Sequence, residues 1–157
     1  MSIQRMAAAM ILALCGTQAW TAEFTYDFVV CSHGTQKLLD SGPELTAVGV
    51  EDWGITASSS TKEWENATTR CMGHVLIAGE KTTGKGICRW VQASGGTAVG
   101  EWEMAADGQN SWRWLAGTGK LAGIRGGGTF QWVTNGKAVE AGTGQSCRRD
   151  WGKYTLP

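Results

Sequence analysis

Proline is nearly missing from this 157-residue chain; Pro43 and Pro157 are the only two. Histidine is equally scarce, with His33 and His74. Acids and bases balance at 14 each, which excludes the concentrated positive charge of a nucleic-acid binder and argues against any strongly charged partner. No Cys-x-x-Cys pair occurs and the histidines lack zinc-finger spacing, so no metal centre or cofactor is expected. There is no Gly-x-Ser-x-Gly nucleophile elbow. No window carries a helix-length apolar stripe of 3.6-residue period. No run reaches the eighteen or so apolar residues of a membrane helix, so stable membrane insertion is not expected.

What the chain does have begins with an export signal. Arg5 supplies a positive start, Met6 to Cys15 a short apolar run, and small residues place cleavage after Ala19 or Ala22. Residues 1–22 are therefore read as a cleaved secretion signal of bacterial type, and residues 23–157 as one domain. Leu14 is too large for the residue before a lipid-modified cysteine, which argues against an anchor at Cys15. The expected location is periplasmic or extracellular.

The remainder reads as strands and turns. Ala98, Gly100, Trp102 and Met104 share one face against Val99, Glu101 and Glu103. Trp112 and Trp114 alternate with Ser111 and Arg113; Gly128, Phe130 and Trp132 alternate with Thr129, Gln131 and Val133. Such alternation marks half-buried strands. Further strands are expected over Phe24–Cys31, Glu44–Thr56, Glu63–Ile77, Ile87–Gln92 and about Gln145–Tyr154, with His33 in a turn after the first. Turn residues separate them, among them Gly79 to Gly84 and Asn135-Gly136, a two-residue hairpin signal. Seven to nine short strands suggest an all-β antiparallel barrel or sandwich. A barrel is favoured, because closure removes exposed edges.

Four cysteines follow the signal: Cys31, Cys71, Cys88 and Cys147. In an exported chain an even count reads as two disulfides, and three pairings are open. A closed barrel makes the first and last strands neighbours, which favours Cys31–Cys147 across the seam. Cys71–Cys88 would then cross one hairpin. Each bond is typically worth about 2–4 kcal/mol.

The segment Gly117-Thr118-Gly119-Lys120-Leu121-Ala122-Gly123-Ile124-Arg125-Gly126 resembles the Gly-Thr-Gly-(Arg/Lys)-aromatic-x-x-(Ala/Ile)-Arg-Gly connection of dirigent and allene oxide cyclase barrels. Cys71-Met72-Gly73 with Gly86-Ile87-Cys88 is similar to a pattern in bacterial secreted proteins of unassigned function that carry the same turn. Together these patterns span roughly residues 64–133. The resemblance implies a calycin-like barrel of about eight strands with a central cavity. Leu121 stands where an aromatic is usual, and no catalytic acid of the plant cyclases matches onto this chain. The resemblance therefore supplies no active site.

Two glycine-rich stretches fail nucleotide templates. Gly79 to Gly86 nearly spells a phosphate loop, but Gly86 replaces the required hydroxyl and a strand follows. Gly117-Thr118-Gly119 has its next glycine displaced to 123. The nine tryptophans are the remaining signal. Trp90, Trp102, Trp112, Trp114 and Trp132 fall in expected strands, and they fill the barrel or line a ligand cavity. His74 joins them as the most reasonable polar candidate. Trp53, Trp64 and Trp151 have no legible face. Arg148-Arg149 reads as a solvated strand end, and Asp52 beside Trp53 is ambiguous. No catalytic residue is legible. The expected function is thus a non-enzymatic exported barrel binding a small apolar or aromatic ligand. Its rivals are a cyclase- or isomerase-like enzyme using His74, and a solid, self-associating homo-oligomeric module.

Overall fold

The structure, a computed structural model, describes residues 21–157. The expected signal therefore falls almost wholly outside the described residues. Eight strands form one closed antiparallel barrel in chain order. They are β1 (Ala22–Ser41), β2 (Thr46–Ser59), β3 (Thr68–Ala78), β4 (Lys81–Val91), β5 (Thr97–Met104), β6 (Ser111–Thr118), β7 (Arg125–Asn135) and β8 (Thr143–Leu156). The seam is long: β1 pairs with β8 from Ala22↔Leu156 to Thr35↔Thr143. The barrel and both favoured disulfides stand as the sequence suggested, Cys31–Cys147 joining the seam strands and Cys71–Cys88 joining β3 to β4.

Three local expectations are corrected. The third strand starts at Thr68, not Glu63, because Lys62–Trp64 forms a 3₁₀ turn that drives Trp64 into the barrel. His33 is no turn residue; it sits in the middle of β1, opposite Trp53 of β2 and Gln145 of β8. Asn135-Gly136 is no two-residue hairpin either. Asn135 pairs with Ser146, while Thr143–Gln145 pair with β1, so the chain must bridge residues 136–142 before β8 begins. The phosphate-loop look-alike is a tight hairpin: Ala78 pairs with Lys81. Gly79 has φ +58°, fitting the glycine-first type II′ turn.

Strand periodicity sorts the side chains. Tyr26, Phe28, Val30, Trp90, Trp102, Trp112, Trp114, Phe130 and Tyr154 point inward and are buried. On the outer wall Glu51–Arg70, Lys85–Glu103, Glu101–Arg113, Asp27–Arg149 and Glu23–Lys153 pair between neighbouring strands. Such exposed pairs are each worth little; the core decides stability. Glycines make room for that core. A Cβ on Gly86 would lie 2.5 Å from Trp102 Cε2, and one on Gly100 2.4 Å from Trp112 Cζ2. The indoles thus lie flat on glycine backbone.

The two disulfides differ in access. Cys31 and Cys147 are half-buried, whereas Cys71 and Cys88 are within the core. Exchange needs a thiolate to reach sulfur. Mild reductant is therefore expected to open Cys31–Cys147 first, with Cys71–Cys88 protected until the barrel opens. Timed alkylation read by peptide mass mapping checks the order; simultaneous loss of both would contradict it.

Candidate functional site

The barrel interior divides into a filled half and an open half. In the filled half Trp64 stacks on Trp114 with ring centroids 5.0 Å apart, and Phe28, Trp90 and Tyr154 surround it. Leu121 and Ile124, from the glycine-rich β6–β7 connection, are buried and close the same end. The Gly117 to Gly126 segment therefore forms the base of the barrel and not a ligand loop.

The open half holds a cavity of about 400 Å³. Val50, Val75, Met104, Trp102, Phe130 and Trp132 supply its apolar walls. Ser32, Gln36, Asn135, Gln145 and Ser146 supply polar groups nearer the mouth. At its inner end stand Asp52 and Arg148. Arg148 and Asp150 are two residues apart on β8 and so share the inward face, both almost wholly buried. The Arg148 guanidinium Nε donates to Asp150 Oδ2 at 3.1 Å. It also lies 5.5 Å from the Phe130 ring centroid, and its Nη2 is 3.9 Å from each sulfur of the interior disulfide. The cationic head is thus boxed in by a carboxylate, a ring and a disulfide.

Asp52 has no such pairing. It belongs to β2, aligned with Gly34 of β1 and Cys71 of β3. Burial pushes its carboxyl above the ordinary carboxylate range; Arg148 and His33 pull it partly back, and Asp150 pushes it further up. Burial likewise raises Asp150 against the pull of Arg148. The Trp102 Nε1, like those of Trp64, Trp90, Trp112 and Trp114, is buried without a protein acceptor, and a buried unpaired donor costs about 1–3 kcal/mol. Among the described residues no cluster of three histidines, cysteines or carboxylates could hold a metal.

The sequence-derived candidates separate on this geometry. Trp102 and Trp132 line the cavity. Trp90, Trp112 and Trp114 pack in the core beside Trp64. His74 lies exposed on the outer wall opposite Lys85 and does not join the cavity. Arg148, expected at a solvated strand end, is buried instead; the sequence does not single out Asp150, and it leaves Asp52 ambiguous. The signal that finds the first two is Tyr154: counting back by twos from that aromatic gives Gly152, Asp150 and Arg148 on one face.

A closed eight-stranded antiparallel barrel with one end plugged and one open is the class that fold and cavity define. Among solved structures it is similar to the pterocarpan synthase dirigent protein GePTS1. The TM-score is 0.53 at 11% identity, covering 98% of this chain and 100% of that one. A second similarity is to the pterocarpan synthase dirigent protein PsPTS1, with TM-score 0.49, 10% identity, and coverage of 88% and 96%. No family model matches the chain, and no curated protein matches it. At this identity the likeness speaks for fold alone, and at that level the dirigent-type resemblance holds.

Proposed function

We propose that this protein is a non-enzymatic binding barrel that takes a compact, largely apolar or aromatic small molecule into its open half. The observation that carries the reading is the cavity itself. Its volume of about 400 Å³ lies in the range of small-molecule sites, about 300–1,000 Å³, and its aromatic walls with few converging polar groups fit that class. The core aromatics point inward and five of the six ion pairs among the described residues lie on the outer wall, which suits a barrel surrounded by water. Two disulfides suit an oxidising compartment, so the protein is read as exported.

Titration with 2-naphthol, followed by tryptophan fluorescence, tests the reading, because Trp102 and Trp132 line the cavity. A saturable change is expected. Val75→Phe, which projects a ring into the cavity, is expected to weaken binding at least about tenfold, a decade corresponding to about 1.4 kcal/mol, with a melting temperature close to the parent's. A response unchanged in Val75→Phe would place the probe elsewhere and sink the cavity reading.

A second reading, cyclase- or isomerase-like chemistry, draws support from Asp52, an inward carboxyl with a raised pKa suited to proton transfer. Conversion of a bound ligand by the parent and not by Asp52→Asn, read by chromatography, would favour it.

A further inference from the structure

At the inner end of the cavity acidic groups outnumber basic ones. Two carboxyls, Asp52 and Asp150, face one guanidinium, Arg148. Arg148 is committed to Asp150 by the 3.1 Å contact and is enclosed by Phe130 and the Cys71–Cys88 sulfurs. Among the described residues no other inward basic group offsets Asp52. Glu51, its neighbour on β2, turns outward to Arg70 of β3. From β3 its aligned partner is the disulfide-bonded Cys71. From β1 the titratable group that reaches it is His33, which lies on the outer wall stacked on Trp53. The walls from β5 and β7 that share the cavity are Trp102, Met104, Phe130, Trp132 and Asn135, which carry rings, a thioether and an amide but no charge.

Each ligand charge has a different consequence for such a site. A carboxylate would add a third negative group against a guanidinium already paired. A neutral ligand leaves Asp52 without a counter-charge. An ammonium supplies the missing positive charge, and tryptophan faces attract cations as well as apolar carbon. Resting on the ligand-binding reading above, we propose that the cavity selects a small organic cation, an ammonium group on a compact aromatic or apolar body, with Asp52 as its counter-ion and Trp102 and Trp132 as its walls.

The sign of the pH dependence follows. The ammonium binds the Asp52 carboxylate, so protonation of Asp52 competes with binding. Since burial raises that carboxyl above its ordinary range, affinity for the cation is expected to fall as pH drops through the raised value, while affinity for a neutral analogue stays level.

The experiment is calorimetric titration of the whole protein with three probes of one size, 2-phenylethylamine, 2-phenylethanol and phenylacetate, at neutral pH and low salt. The amine is expected to bind at least about tenfold tighter than the alcohol, and the acid most weakly. Asp52→Asn is expected to reduce the amine to the level of the alcohol while leaving alcohol binding intact. Should that variant fold poorly, the pH profile of the parent with the amine serves instead. Equal binding of amine and alcohol, tightest binding of the acid, or an amine affinity that does not fall with pH would each overturn the proposal. If none of the three binds but 2-naphthol does, charge selection falls and the binding reading stands. If 2-naphthol also fails, both fall.

Discussion

Gly128→Val is expected to lower stability by more than about 3 kcal/mol, at the top of the range for overpacking, or to abolish folding. Gly128 of β7 faces Gly152 of β8 across the sheet. A Cβ at Gly128 would stand 2.0 Å from the Trp151 carbonyl oxygen and 2.8 Å from Gly152 Cα. Both obstacles are backbone, so no side chain can turn aside; the two strands would have to separate. Gly126 in the same strand carries a second constraint, its φ of +114°, which side chains rarely adopt. The clash lies in the barrel wall, so stability should suffer before ligand preference does. Urea unfolding followed by far-ultraviolet circular dichroism measures the effect. A folded Gly128→Val protein with the parent's midpoint would show that β7 and β8 do not meet this closely.

Trp64→Ala should cost about 3–5 kcal/mol, the usual loss for a large buried aromatic. Trp64 is fully buried, and four aromatic rings lie with centroids within 6.1 Å of its own. It arrives from a short β2–β3 connection whose backbone is tied down: the Ala67 N–H donates to the Trp64 carbonyl and the Thr56 N–H to the Ala67 carbonyl. That anchored loop cannot move inward to fill the void. The cavity at the opposite end should keep its shape, so the residual folded protein should still bind 2-naphthol. A drop below about 1 kcal/mol would mean that the plug contributes little.

The contrast between these residues shows what could be read before the fold was seen. Alternation placed Trp102, Trp112 and Trp114 on the inner wall because a strand writes its two faces into every second position. Trp64 escaped because a three-residue 3₁₀ turn has no period to detect. Arg148 and Asp150 escaped for a different reason. Charged residues are almost never fully buried unless paired, and the 148–149 arginine pair looked like solvent-facing charge. Only Arg149 fits that description, since it bonds Asp27 on the outer wall. Asp52 depends on its neighbours across the sheet, and strand order is not written in local sequence. The cysteines were the exception, because pairing across the seam follows once closure is assumed. The outer part of β1, through Lys37, Leu38 and Leu39, is exposed at every position. It therefore shows no alternation, and the strand was read as ending at Cys31.

The plug and the mouth sit at opposite ends, and this has a consequence for how such a chain can diversify. The hairpins after β1, β3, β5 and β7 surround the cavity mouth, whereas the connections after β2 and β6 supply Trp64, Leu121 and Ile124 to the base. Substitutions or insertions in the hairpins after β1, β3, β5 and β7 can reshape the cavity mouth without touching the residues that hold the barrel closed. Selection on the shape of the mouth and selection for persistence of the fold would therefore act on separate stretches of the same gene, alternating along it.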